Sequence, residues 1–306
     1  MRLNKLFAVL SAAGIMAMVG PVQASLTFQF NPLGNGIGVG LINGAGLLDQ
    51  APGNVNSLNG AGGGGVILPG VVITDLYQSN LSAIQTSGTS NLFANGTGGN
   101  FFTFVANFSE TVTGAAILGT DAINIVSVNG GGTIKMCAQL ALGDNLMGTG
   151  FGCAGSGILT ARVDGGSSSI TAHLARALEN LDQAGSNNWP GVSTLVTDGS
   201  ASLRATITFI DANYFPDLKV GSKVALNSSF ITPYNQVDPS RRFSTGLVTD
   251  DTATNIGAVN GVFGPNFIFQ ADANNSFEAP EPGGLAIGGI ALAGLALLRS
   301  RRKQSV

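Results

Sequence analysis

Strand-length runs separated by glycine- and asparagine-rich turns recur along this chain, and they constrain the fold more than any other feature. SLTFQF, which starts at Ser25, and LRATITFI, which starts at Leu203, alternate apolar and polar residues, as expected when one strand face is buried. Further apolar runs of strand length are GVVITDLY, FFTFVANF, INIVSV and GVFGPNFIFQ. The turns between them include NPLGNG, NGGG, VDGG and TDGS. We therefore predict an all-β, sandwich-like body.

Two stretches are less clear than these runs. Ser169–Asp182 places leucines at helical spacing but begins with strand-like alternation, so helix and strand both stay open. The glycine-rich stretches Gly34–Gly46 and Ala61–Gly65 are interpreted as loops between strands, because core-type leucines interrupt them.

The N-terminus has the three parts of a secretory signal peptide. Two cations precede the apolar stretch Leu6–Val19, and small residues follow at Val22 and Ala24. The pattern predicts a signal peptide over residues 1–24 that the Sec machinery recognises and signal peptidase cleaves before Ser25. The alternative is a buried N-terminal helix, which Pro21 would break.

The C-terminus carries a short apolar span followed by cations. Residues 283–298 contain no charge, and as a helix they would measure about 24 Å, less than a hydrocarbon core of about 30 Å. We predict one short transmembrane helix held transiently in the inner membrane. A retention cluster would keep its end cytoplasmic: Arg299, Arg301, Arg302 and Lys303.

Two prolines stiffen the peptide just before this span. Pro280 and Pro282 flank Glu281, and each proline fixes its own φ and favours an extended residue before it. A stiff, extended peptide suits the cleft of a processing enzyme. The alternative is a simple tail anchor whose helix starts at a proline.

The tripartite tail, residues 280–306, resembles the PEP-CTERM sorting signal of Gram-negative bacteria. The resemblance implies that Pro280, Glu281 and Pro282 form a sorting motif for an exosortase, a membrane-embedded cysteine peptidase or transpeptidase that passes its substrates toward the cell surface. The body also resembles proteins found behind such tails, which are tied to biofilm, floc and exopolysaccharide formation. The similar stretches are FQFNPLGNG, LDQAPGN, LYQSNLSAI, FVANFSETV, MGTGFGCAGSGIL, ANYFPDL, TPYNQVDPSRRF and FQADANNSFEAPEP.

The body between the two termini is acidic and sparsely charged. Six of the 14 basic residues belong to the terminal segments, which leaves eight against 16 of the 17 acidic residues, a net charge near −8. This balance argues against nucleic acid or anionic lipid as a partner. We expect the exported body to span residues 25–271, with a polar linker over residues 272–279.

Few residues suit catalysis or metal binding. His173 is the only histidine, and no G-x-S-x-G surrounds any serine, so a Ser-His-Asp hydrolase is not expected. Gly150–Gly155 matches G-x-G-x-x-G by count, but a strand pattern follows it where a dinucleotide site needs a helix. Asp250-Asp251 and DANNS offer oxygen ligands without EF-hand spacing, so neither a metal nor another cofactor is predicted.

Two remaining features concern the exported state. Cys137 and Cys153 are the only cysteines, and in an exported protein we expect them to form a disulfide, with two free thiols as the alternative. Trp189, the only tryptophan, lies in a polar turn and is a candidate glycan contact.

These features predict a non-enzymatic surface or extracellular-matrix protein that acts in adhesion or scaffolding. The runner-up is a polysaccharide-binding, lectin-like module, with exopolysaccharide as partner and Trp189 beside a tyrosine on one exposed face. An exported hydrolase ranks third, since it needs two carboxylates at glycosidase separation. Glu110 and Glu179 are the only glutamates before the predicted linker, and nothing in the sequence pairs them.

The mature protein should begin at Ser25, because signal peptidase cuts after the small residue Ala24. Intact-mass and N-terminal analysis of the exported form test this expectation. An exported form that still carries residues 1–24 would contradict the signal-peptide interpretation.

Overall fold

The computed structural model describes residues 26–58, 68–118, 121–153, 155–174, 195–232, 242–243, 254–255 and 266–278. Apart from one 3-10 turn at Thr97–Gly99, the regular structure in these ranges is β-strand, which confirms the all-β prediction. No helix within these ranges has the length and apolar character to cross a membrane. The predicted signal peptide and the apolar span 283–298 lie outside the described residues.

Fifteen strands lie in the described ranges. They are β1 (Phe28–Phe30), β2 (Ile42–Ala45), β3 (Leu47–Gln50), β4 (Gly53–Leu58), β5 (Val72–Gln85), β6 (Asn91–Ala94), β7 (Phe101–Leu118), β8 (Asp121–Val128), β9 (Thr133–Gln139), β10 (Leu159–Leu174), β11 (Leu195–Ile210), β12 (Lys223–Thr232), β13 (Arg242–Phe243), β14 (Thr254–Asn255) and β15 (Asn266–Glu278).

Eleven of these strands form one large sheet that closes on itself. Its order is β3-β5-β4-β15-β12-β11-β10-β8-β7-β9, β6 pairs with β5, and β5 also pairs with β7 over residues 72–80 and 103–111. The core therefore lies between facing strands, as the predicted sandwich-like body requires, although the facing strands belong to one continuous sheet. Two strand pairs, β1–β2 and β13–β14, stand apart from this sheet.

The alternation seen in the sequence places apolar side chains inside the closed sheet. In β11, Leu203, Ala205 and Ile207 are buried, while Arg204 between them is exposed. In β7, Phe102 and Phe104 point into the same core. Successive side chains of a strand point to opposite faces, so every second residue faces the core and the residues between face outward.

A cluster of aromatic rings seals the core where β11 and β15 end and β7 begins. The Phe28 ring lies 4.8 Å from Phe277 and the Phe30 ring lies 5.0 Å from Phe215 and 5.3 Å from Phe102, measured between centroids. Backbone bonds fix β1 across this end, with Leu26 N donating to Phe277 O at 2.8 Å. Tilted and edge-on ring pairs of this kind stabilise a core beyond the area they bury.

The connection between β9 and β10 folds over the outer face of β4, β5 and β7. Asn80 holds it through two bonds, Nδ2 to Gly143 O at 2.9 Å and Gly143 N to Oδ1 at 2.8 Å, and Asn54 Nδ2 donates to Asn145 O at 3.0 Å. Phe151 of this connection is fully buried against Val105. The connection explains why the outer face of these strands also carries buried residues.

The disulfide Cys137–Cys153 anchors the same connection, as the sequence predicted. Both sulfurs are buried in the small cluster that contains Phe151. Gly157 packs directly on them: its φ is +64°, and a Cβ there would lie 2.8 Å from the Cys153 sulfur. Glycine is therefore required at this position on both conformational and steric grounds.

The predicted linker over residues 272–279 is wrong, because β15 continues to Glu278 within the large sheet. Its polar residues alternate with buried ones: Asp272 and Asn274 are exposed, whereas Ala273, Asn275 and Phe277 face the core. The polar composition concealed a strand with one buried face. The folded body therefore reaches beyond the predicted boundary at residue 271.

Two further expectations are resolved in part. The first residues of the helical candidate, Ser169–Leu174, belong to β10, and the rest of that segment lies outside the described residues. In the glycine-rich stretch Gly34–Gly46, residues 34–41 form a loop, whereas Ile42–Ala45 is strand β2. Ala61–Gly65 lies outside the described residues.

Replacing both cysteines by alanine should lower the free energy of unfolding by about 3 kcal/mol, because the disulfide closes a loop spanning 16 residue positions in the unfolded chain. Urea unfolding of wild type and double variant measures the difference. A reducing agent should reproduce the loss in the wild type and leave the double variant unchanged. Two free thiols in the unfolded, unreduced wild type would contradict this prediction.

Candidate functional site

A pair of carboxyl groups lies inside the closed sheet. Asp75 on β5 faces Phe108 on β7, and Glu110 faces Ile73, so the two carboxyls are diagonal neighbours on the inner face. Both side chains are buried and hydrogen-bond to each other. Serine hydroxyls complete the set: Ser57 donates to Asp75, and Ser168 donates to Glu110 Oε2 at 3.3 Å.

Burial raises the affinity of this pair for protons. Desolvation, together with the nearby charge of Asp75, raises the pKa of Glu110 to about 9. Desolvation also raises the pKa of Asp75 to about 6, against the opposing effect of the Ser57 hydrogen bond. Among the described residues that line the cavity beside the pair, the one further titratable side chain is Tyr77, whose hydroxyl donates to Gln50 Oε1 at 2.7 Å. The pair therefore holds a shared proton at neutral pH.

The space beside the pair is too small for a substrate. The cavity measures about 30 Å³ and is lined mainly by apolar side chains such as Val55, Phe108 and Leu203. One or two water molecules would fill it. Two carboxyls in direct hydrogen-bond contact are also closer than the roughly 5–10 Å that glycosidases use. Glu110 thus pairs with Asp75 in the core, and Glu179, the partner considered from sequence, lies outside the described residues.

The other sequence candidates fall in two groups. His173 lies in β10, in register with Val196 and Asp121. Gly150–Gly155 precedes strand β10 rather than a helix, and this excludes the dinucleotide site. Among the described residues, no group of acidic, histidine or cysteine side chains could hold a metal. The second group lies outside the described residues: Ala24, Ser25, Trp189, Asp250, Asp251, Pro280, Glu281, Pro282, Arg299, Arg301, Arg302 and Lys303.

Three serine-rich segments, distant in sequence, meet on the outer face of β8, β10, β11 and β12. Ser167 pairs with Ser127 on one side and with Ser202 on the other, and Ser202 pairs with Asn227. The next row repeats the arrangement one pleat further along. There Ser169 pairs with Ile125 and Ser200, and Ser200 pairs with Ser229. We call this surface the serine face: Ile125, Ser127, Ser167, Ser169, Ser200, Ser202, Asn227 and Ser229.

The serine face is exposed and shallowly concave. An open groove of about 480 Å³ runs along it, lined by Ile125, three serines of β10 and their neighbours on β11 and β12. Within the described part of the chain, its hydroxyl and amide groups make no side-chain hydrogen bonds. Neighbouring strands lie about 4.8 Å apart, so the rows present polar groups at regular intervals on a rigid support.

None of the described residues that line the groove carries a charge. Beyond the first row stands Arg204, opposite Gly165 and Ala225, and further along the strands Asp164 binds Lys223 Nζ at 2.8 Å. Asp198 lies past the second row on β11. The face therefore offers hydrogen-bond donors and acceptors without net charge.

Sequence reasoning did not find this surface. Serine is not among the residues favoured in strands, so GSSS within β10 and SAS within β11 were the available signal. From the sequence, a binding face was expected to be marked by exposed aromatic residues. Which serines share a face depends on register between strands that are distant in sequence.

Comparison with protein-family models, curated proteins and solved structures finds no match to this chain. The serine face and the buried carboxyl pair are therefore interpreted from their own chemistry.

The free energy of unfolding should fall as the pH rises from about 5 to 9. The folded state keeps protons on Glu110 and Asp75 that the unfolded chain releases at its ordinary, lower pKa values, so raising the pH favours unfolding. Glu110→Gln keeps this position uncharged and should reduce the fall by a few kcal/mol. Urea unfolding at a series of pH values measures both proteins.

Asp198→Asn serves as the control, since it removes an exposed carboxylate from the same sheet. It should retain the pH dependence of the wild type. Infrared spectra should also show a protonated carboxyl band at pH 7 in the wild type that Glu110→Gln removes. Equal pH dependence in wild type and Glu110→Gln would contradict the shared proton.

Proposed function

We propose that this protein is a non-enzymatic protein of the cell surface or extracellular matrix that acts in adhesion or scaffolding, and that it attaches through the serine face. The observation that carries the proposal is a set of uncharged polar groups on one sheet face that make no side-chain hydrogen bonds to other described residues. Binding residues are more common on loops than on strands. These serines lie on strands but face outward, so packing of the core does not explain them.

The disulfide supports an exported location. Cys137 and Cys153 are bonded, and such bonds persist in oxidising compartments outside the cytoplasm. Together with the N-terminal and C-terminal sequence patterns, this favours passage through the Sec machinery, transient anchoring in the inner membrane, and release by an exosortase to the surface. The sandwich-like body would then be the part that is displayed.

A binding role fits the architecture better than catalysis does. Glu110 and Asp75 both have clearly raised pKa values, which is common at catalytic sites, yet the cavity beside them admits only water. The exposed polar groove lies on the opposite side of the strands from this pair. A lectin-like module that uses Trp189 remains the alternative form of the same function.

Replacing Pro280, Glu281 and Pro282 by Ala, Gln and Ala should abolish surface release and leave the longer, tail-bearing species in the inner membrane. The change removes the stiff, extended peptide that a processing cleft would hold, while the apolar span and its flanking cations stay intact. Cell fractionation followed by intact-mass analysis measures the outcome.

The control is the wild type in cells with and without an exosortase, which should release and retain the protein respectively. Deleting residues 299–303 should act differently, because it loosens membrane retention and orientation. Equal surface release of wild type and the triple variant would show that the tail is only an anchor.

A further inference from the structure

We propose that the serine face is a docking surface for an uncharged polysaccharide, an inference that rests on the proposed adhesion function and names its partner. The two rows of registered side chains would lie against the polymer, with Ser167 and Ser202 in one row and Ser169 and Ser200 in the other.

The chemistry of the groups selects a partner rich in hydroxyls. A serine hydroxyl both donates and accepts hydrogen bonds, and an asparagine amide does the same through two atoms. Sugar hydroxyls have the same dual capacity, so either partner can donate at each contact. Because the hydroxyls of the face are not engaged with other described residues, binding would exchange bonds to water and would not require bonds within the described protein to break.

Charge excludes the other common polymers. The described residues that line the groove are uncharged, and the body has a net charge near −8. Anionic polysaccharides, nucleic acids and anionic lipid surfaces would be repelled at long range and would find no counter-ion at the face. A second copy of the chain would bring two acidic bodies together. An uncharged polymer meets none of these costs.

The shape of the face suits an extended ligand. The groove crosses β10, β11 and β12 and is open rather than enclosed, with about 480 Å³ of space. Serine side chains are short, so the face stays low, and Ile125, which is 54% exposed, supplies one apolar contact at its edge. Sugar rings have apolar faces as well as hydroxyls, and such a mixed surface matches them.

The test uses the full chain, purified in a detergent without a sugar headgroup, and native gel electrophoresis through gels that contain a polysaccharide. Dextran and hydroxyethylcellulose are the neutral probes, and alginate is the anionic one. At least one neutral polymer should retard the wild type, and alginate should not.

Two variants probe the face. Ser167→Glu with Ser200→Glu places charge in both rows, and Ser167→Ala with Ser202→Ala removes hydroxyls without adding charge. The first should weaken retardation at least tenfold and the second severalfold, because several hydrogen bonds are lost together. Ser87→Glu with Ser90→Glu adds the same charge to an exposed turn and should match the wild type. Circular dichroism and disulfide titration check that each variant folds.

The outcomes separate the partner from the general function. Absence of retardation by neutral polymers, preference for alginate, or equal loss in the turn control would overturn the polysaccharide proposal. The proposal would also be overturned if both face variants were retarded as strongly as the wild type. A wild-type dimer that the Glu variant dissociates would overturn it too, because the face would then bind a second copy of the chain. Any of these results, together with normal surface release, would leave the adhesion function standing. Failure of surface release would count against the proposed function itself.

Discussion

The pairing of β5 with β7 is the contact on which the rest of this structure depends. It closes the eleven-stranded sheet on itself, because β5 also pairs with β4 and β7 also pairs with β9 and β8. Closure gives every strand an inside and an outside, and it satisfies backbone donors and acceptors that an open edge would leave exposed. The aromatic rings around Phe30 then seal one end of the enclosed space.

Closure also explains the unusual polar interior. Asp75 and Glu110 lie on the inner face, where no cationic side chain among the described residues offsets them, and they share a proton and accept bonds from Ser57 and Ser168. A lone buried carboxylate would be far more costly. The pair links β4, β5, β7 and β10 around the interior. Ser168 is central to this arrangement, because its sequence neighbours Ser167 and Ser169 point outward to the serine face.

The outer surface is divided between two uses. Over β4, β5 and β7 it is covered by the disulfide-anchored connection, which buries Phe151 and engages Asn80 and Asn54. Over β8, β10, β11 and β12 it is left open and lined by hydroxyls. A body with one covered face and one free polar face has a defined place for a partner. Under the proposed function, adhesion would act at this free face.

Local pattern in the sequence was sufficient for the all-β class, for six of the fifteen described strands (β1, β5, β7, β8, β11 and β15) and for the disulfide, because alternation, turn residues and cysteine number act over short distances. It was insufficient for residues 272–278 of β15, where a polar composition predicted a linker. In the structure, alternate residues of this segment, including Asn275 and Phe277, are buried. Only the tertiary structure decided that Glu110 meets Asp75, and that serines from β10, β11 and β12 form one surface. Both depend on strand register between distant segments, and a shift of one residue would turn each of these side chains to the opposite face.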